Sequence, residues 1–129
     1  MIDDPSFRKS GILVFTITCN EIADEIKAAA ERGVRVRIIS DGDQAESKGS
    51  DIESLSQVNG VQVRCDKDPD SHMHHKFAII DQRVLLNGSF NWTRQAVLSN
   101  RENVVVSRND GRLTVTFTDE FERLWKEFR

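Results

Sequence analysis

The chain has 129 residues and a mass of 14.7 kDa, the size of one domain, and can bury a core without disulfide or metal staples. Apolar residues make up 38% and charged residues 30%, which excludes collagenous and disordered classes. Eighteen basic against twenty-one acidic residues leave a net charge of −3, which argues against a polybasic nucleic-acid binder.

Residues 1–10 read as a short N-terminal segment and 11–129 as a single domain. Met1-Ile2-Asp3-Asp4-Pro5 lacks the charged and apolar regions of a signal peptide. GILVFTIT (11–18) is a β-branched apolar run after a glycine, which predicts a buried strand and is far short of the roughly 20 residues of a membrane span. Thr18 with Glu21 fits a capping box, with Asn20 as a competing N-cap. Ile22, Ile26, Ala29 and Ala30 recur at helical spacing, and Gly33 suits the residue after the helix. VRVRII (34–39) reads as a strand, so 11–39 is a βαβ unit whose crossover implies a parallel pair.

Residues 40–50 are expected to be a polar loop. Ser50 with Glu53 is a second capping box, and Ile52, Leu55 and Val58 predict a short helix closed by Asn59-Gly60. VQVR (61–64) is the next strand, and 65–73 a loop. HHKFAIID (74–81), a turn at Gln82-Arg83, and Val84-Leu85-Leu86 predict a hairpin. Residues 87–101 read as loop, 103–106 as a strand, and Asn109-Asp110-Gly111 as a turn. Phe117, Phe121, Leu124, Trp125 and Phe128 make one apolar face of a C-terminal amphipathic helix, expected to pack on its own sheet. Threonines at 114, 116 and 118 leave its start unfixed. The class is α/β, a layered fold with a mixed sheet flanked by helices.

Cys19 and Cys65 make neither a disulfide framework nor a CxxC pair, so free thiols in a reducing compartment are expected. Charge is uneven. Residues 41–70 hold eight acids against three bases, and 83–112 hold five bases against two acids. An anionic substrate would be drawn to the second region, where Arg94 and Arg101 are candidate contacts.

His74 and Lys76 are two apart on a predicted strand, so both side chains share a face. An imidazole can act as nucleophile or proton carrier near neutral pH, and an ammonium can hold a phosphoryl oxygen. Ser89 and Asn91, again two apart, follow Gly88, and Asn87 lies on the same polar edge. A hairpin would bring His74, Lys76, Ser89 and Asn91 together. Asp81 has the opposite parity to His74 and lies about 23 Å along an extended strand from it, so Glu102 is the better partner for the imidazole.

His74-His75-Lys76, four residues, then Asp81, followed by Gly88-Ser89-Phe90-Asn91, resembles the HxKxxxxD…GSxN signature of the phospholipase D superfamily. The string MHHKFAIIDQRVLLNGSFNWTRQA with Asn100-Arg101-Glu102-Asn103, and the stretches RGVRVRIISD (32–41) and KGSDIESL (48–55), resemble its single-motif branch. That branch holds cardiolipin hydrolases, piRNA-processing endoribonucleases and small bacterial nucleases. The resemblance runs from about residue 11 to the C-terminus.

The resemblance implies that His74 forms a phosphohistidine, that Lys76 and Asn91 bind phosphoryl oxygens, that Ser89 hydrogen-bonds within the site and that Glu102 orients His74. Asp81 belongs to the signature, and its opposite parity to His74 gives it a structural role. One motif per chain implies a homodimer that brings two copies of His74 together, with no metal and no cofactor. The first reading is a cardiolipin or phospholipid hydrolase, the second a single-strand endonuclease of the endoribonuclease type. The third is a non-catalytic dimer that binds phosphate or nucleic acid. Members carry a further strand and helix before the segment matching 11–18, so a sheet short at that end is expected. Anchored members also carry an N-terminal membrane helix, and mitochondrial outer-membrane attachment would need one.

Other readings stand beside these. His72, His74 and His75 with Cys65, Asp66, Asp68 or Asp70 would be a metal cluster, but they lack the separated ligand pairs of a structural zinc site and the Gly and Glu of an EF-hand. Phe90 and Trp92 offer rings to a base, a lipid or the core.

Overall fold

A computed structural model describes residues 9–13, 17–46 and 48–129. Strand β1 (Lys9–Leu13) leads to helix α1 (Asn20–Glu31) and strand β2 (Arg35–Asp41). Short helices α2 (Gly42–Ala45) and α3 (Ile52–Ser56) precede β3 (Val61–Asp66). The hairpin β4 (Phe77–Ile80) and β5 (Val84–Gly88), helix α4 (Arg94–Leu98), strand β6 (Val104–Arg108) and helix α5 (Gly111–Glu127) complete the chain.

The strands form one mixed sheet in the order β3-β2-β1-β4-β5-β6. β1, β2 and β3 run parallel, as the crossover helices demand, and β4, β5 and β6 pair antiparallel. β1 starts two residues before the expected Gly11, with Lys9 opposite Arg35. The predicted strand end at 14–16 lies outside the described residues, and Ile17 bridges to Trp92.

Alternation sorts the side chains onto two faces. Val36, Ile38 and Ala78 pack with Ala23, Ile26 and Ala29 of α1 and with Ile52 and Leu55 of α3. Ile39, Phe77, Ile79 and Leu85 face the other way and pack on Phe121, Leu124 and Trp125 of α5. Arg37, on the α5 face, stacks its guanidinium over the Phe121 and Trp125 rings at 4.8 and 5.2 Å and donates to Glu122 at 3.2 Å. The C-terminal helix therefore covers its own sheet.

Several ends differ from expectation. Cys19, not Thr18 or Asn20, is the N-cap of α1; no side chain caps there, and the Cys19 thiol donates to Glu21 at 3.2 Å. The far end follows the sequence: Gly33 takes φ +91°, its N–H donates to the Ala30 carbonyl, and Val34 N–H donates to that of Ala29. At α3 the N-cap is Asp51, while the Ser50 hydroxyl accepts from Ile52 N–H at 3.3 Å. Helix α2 replaces the start of the predicted 40–50 loop, because Asp41 accepts from Gln44 N–H at 3.4 Å. Helix α4 replaces part of the 87–101 loop, capped by Thr93 accepting from Ala96 N–H at 3.1 Å. Asp110 caps α5 by accepting from Leu113 N–H, and the hydroxyls of Thr114, Thr116 and Thr118 donate to carbonyls four residues back, which accommodates these poor helix formers.

The hairpin turn sits one residue earlier than predicted. Asp81 and Gln82 have φ of 50° and 56°, and Arg83 N–H donates to the Ile80 carbonyl at 3.0 Å. Left-handed values at both central positions define the turn whose twist matches a two-stranded ribbon.

Candidate active site

The predicted strand 74–81 is shorter than expected: β4 begins at Phe77, and its ladder with β5 ends at Phe77 opposite Asn87. His74 and Lys76 therefore lie just ahead of the ladder, at the end where β2 and β3 finish and β6 starts. That is where ligands bind in open α/β sheets. Asp81 stands at the opposite end of β4, in the turn. The whole of β4 lies between Asp81 and His74, which separates them whatever their parity.

His74 and Lys76 meet directly. The Lys76 Nζ lies 3.0 Å from His74 Nδ1 and donates to the His74 carbonyl at 2.7 Å. With Lys76 as donor, the neutral ring keeps its lone pair on the Lys76 side. Partial burial is the main cause holding the His74 pKa below its ordinary value, reinforced by the charges of Lys76 and His72 and opposed by Asp41. Burial also lowers the Lys76 pKa, against which Glu102 acts.

A second cluster faces them. The Ser89 hydroxyl donates to the Glu102 carboxylate and accepts from Asn103 N–H at 3.1 Å. Asn100 Nδ2 donates to the same carboxylate at 3.0 Å. Ser89, Asn100 and then Lys76 hold Glu102 below the usual carboxylate range. Charge thus connects Glu102 to Lys76. The Oδ1 of Asn91 is buried and has no hydrogen-bond partner among the described residues. Gly88 permits the close approach that makes this corner, since a side chain there would press on the Asn103 carbonyl.

Two residues missed by sequence reading belong here. Asn100 holds Glu102; its place in Asn100-Arg101-Glu102 was the available signal. Asp41, buried to 2% exposure, accepts from Met73 N–H at 3.2 Å and lies 3.2 Å from His72 Nδ1, which fixes the approach to His74. No local pattern announces a carboxylate 32 residues away.

The expected weak contacts are differently engaged. Arg94 donates to Glu21 at 3.2 Å, tying α4 to the first turn of α1, while Arg101 is exposed. The Trp92 carbonyl accepts from Thr18 N–H at 3.0 Å, and its ring packs on the α1 side of the core.

The three histidines do not form one cluster. His74 turns to Lys76, His75 sits edge-on to Phe77 and 3.5 Å from Glu120, and His72 joins Asp41 and Asp43. The last three place ligand-competent atoms within 4.8 Å of one another. Asp66 and Asp68 instead accept the N–H groups of Asp68 and Asp70 at 2.9 Å, turning the loop. Both cysteines are free, and among the described residues no helix is long and apolar enough to cross a membrane.

A family profile described as "Cardiolipin synthase, PLD-like domain" matches residues 4–125. The chain is 55% identical over 122 residues to the mitochondrial cardiolipin hydrolase of Chlamydomonas reinhardtii, covering 95% of this chain and 53% of that protein. It is 44% identical over 117 residues to the Homo sapiens mitochondrial cardiolipin hydrolase, covering 91% and 45%. The chain thus spans about half the length of the curated relatives it matches. Among solved structures, the phospholipase D family member Nuc from Salmonella typhimurium superposes with a TM-score of 0.88 at 28% identity, over 99% of this chain and 84% of that one.

Proposed function

Because the chain belongs to the PLD-like domain family, we propose that it is a phosphodiester hydrolase working through a phosphohistidine, with phospholipids of the cardiolipin type as its first substrate class. The observation that carries this reading is the contact of Lys76 Nζ with His74 Nδ1 at 3.0 Å, at the carboxyl end of the parallel strands. An ammonium beside a neutral imidazole can take a phosphoryl oxygen while the ring attacks phosphorus.

In the proposed first step a His74 ring nitrogen forms a bond to phosphorus as the phosphorus–oxygen bond to the leaving group breaks. The leaving oxygen takes a proton from His74 of a second copy, held as imidazolium. Water then attacks the phosphohistidine and gives its proton to that second ring, breaking the phosphorus–nitrogen bond and restoring both. Lys76 and Asn91 hold the phosphoryl oxygens. Ser89 and Asn100 fix Glu102, which steadies Lys76 and orients His74. Asp81 shapes the hairpin turn. No metal takes part, since two rings and two ammonium groups supply the charge.

The second copy is required because one chain carries one His74. Val97 and Leu98 of α4, 51% and 66% exposed, lie next to the Asn100–Glu102 corner and suit a contact between copies. Activity on the soluble diester bis(p-nitrophenyl) phosphate, in EDTA, tests the reading. Wild-type protein is expected to turn it over and His74→Asn to be inactive. Equal rates in the two, or loss of wild-type activity in EDTA, would refute it. The second substrate class is single-stranded nucleic acid, which the resemblance of the HxK and GSxN residues to single-motif nucleases leaves beside the first.

A further inference from the structure

We propose that His75, which stands between the two proposed catalytic groups, is a positioning residue: held by Glu120 of α5, it sets the direction in which His74 and Lys76 face the substrate phosphate. This role rests on the phosphodiesterase reading above and belongs to a residue that touches neither substrate nor phosphorus.

Among the described residues, the ladders of β4 with β1 and with β5 reach no further than Phe77. Side-chain contacts therefore carry weight in placing residues 74–76. On the β2 side, Asp41 accepts the Met73 N–H at 3.2 Å. On the α5 side, His75 makes the contacts. Its ring sits edge-on to Phe77 with centroids 5.5 Å apart, and Phe77 in turn sits edge-on to Phe117 of α5 at 4.9 Å. The His75 Nε2 lies 3.5 Å from Glu120 Oε1.

Glu120 is itself held in place. Arg123 donates to both of its carboxylate oxygens at 2.9 Å and to Glu127 at 2.7 Å. Those hydrogen bonds are the first cause keeping the Glu120 carboxyl below the usual carboxylate range, and the charges of Arg123 and His75 add to them. His75 thus faces a fixed anion. Neighbouring side chains of an extended chain point to opposite faces, so a backbone rotation at residue 75 swings His74 and Lys76 together. Holding His75 against α5 aims both groups on the other face. A misplacement of about 1 Å can cost about a hundredfold in rate, whereas a half-exposed ion pair adds little to stability. The contact therefore weighs on rate more than on folding.

His75→Ala, His75→Gln, Glu120→Ala and the double variant of His75→Ala with Glu120→Ala are compared on bis(p-nitrophenyl) phosphate. His75→Ala is expected to lower kcat by about tenfold or more, with KM kept within about twofold and the thermal midpoint close to that of wild type. His75→Gln, whose amide nitrogen can stand in for Nε2, should recover most of the loss. The double variant should be no slower than His75→Ala, because both changes remove one contact. Independently of turnover, the His74 ring is titrated by NMR. Partial burial, then the charges of Lys76 and His72, depress its pKa against Asp41, so a ring released from its place should titrate higher in His75→Ala, and the acid limb of kcat/KM should move up with it. An unmoved His74 titration in His75→Ala, a His75→Gln protein no faster than His75→Ala, or single effects that simply add would overturn the inference. So would a fall in kcat matched by collapse of the thermal midpoint in every variant, which would make the contact structural only. Wild-type protein that fails to cleave the small diester, while the His74 titration still moves in His75→Ala, would count against the phosphodiesterase reading alone.

Discussion

Ser89 and Glu102, thirteen residues apart, are locked into one unit: the serine hydroxyl donates to the carboxylate while accepting the N–H of Asn103. Ser89→Ala would leave that N–H without its acceptor and the carboxylate without a donor. A drop in kcat/KM of roughly tenfold to a hundredfold is expected. The Glu102 pKa should rise at the same time, since Ser89 is the first cause of its depression. A variant with wild-type kinetics and an unmoved Glu102 titration would show that the pair does not serve the site.

The depressed His74 pKa has a definite sign. The nucleophile must be neutral, so activity rises with pH as His74 loses its proton. That limb should lie below the ordinary histidine value of about 6.5. With two rings in one site, the limb belongs to the pair. A pH profile of kcat/KM whose acid limb lies above that value would contradict the assignment. Glu102→Gln removes the charge that opposes the fall in the Lys76 pKa, so Lys76 should titrate lower still by NMR.

Gly88→Ala tests the tight corner between β5 and β6. Its new methyl group would collide with the backbone at Asn103 and Val104 and push Ser89 from Glu102. The backbone must shift, at a cost of about 1–3 kcal/mol by denaturant unfolding, and activity should fall further than stability does. A neutral substitution would show that the corner yields freely.

Phe121 is fully buried, stacked on Trp125 at 5.8 Å and covered by the Arg37 guanidinium. Phe121→Ala should cost about 3–5 kcal/mol, a large share of the roughly 5–15 kcal/mol that stabilises a domain. Thermal unfolding measures it. A small loss would mean that α5 is not held by this face.

Much of this arrangement is legible in the amino-acid order. Alternation in VRVRII and FAII separates two buried faces, and the spacing of Phe117, Phe121, Leu124, Trp125 and Phe128 places the helix that covers one of them. Gly33 announces a helix end because the left-handed position there favours glycine. Helix α4 escapes because five residues show little periodicity and only Thr93 hints at a cap. Asp41 escapes because its partners, Met73 and His72, are distant in sequence. The pairing of His74 with Lys76 is legible from parity even though the strand stops short of both. Sequence spacing cannot show which groups occupy Glu102, since Ser89 reaches it only through the fold.

Mixing tests whether two copies share each site. If both rings are needed, wild-type and His74→Asn chains refolded together in equal amounts should give about one quarter of wild-type activity, the share of fully wild-type pairs. About one half would mean that each copy works alone.

The central claim is a covalent bond between phosphorus and His74. Rapid acid-free quenching during turnover of bis(p-nitrophenyl) phosphate, followed by peptide mass spectrometry, reads that bond directly. The account predicts a phosphoryl adduct on the peptide carrying His74, stable in base, lost in acid, and absent from His74→Asn. Turnover without that adduct, or an adduct on another side chain, would contradict it.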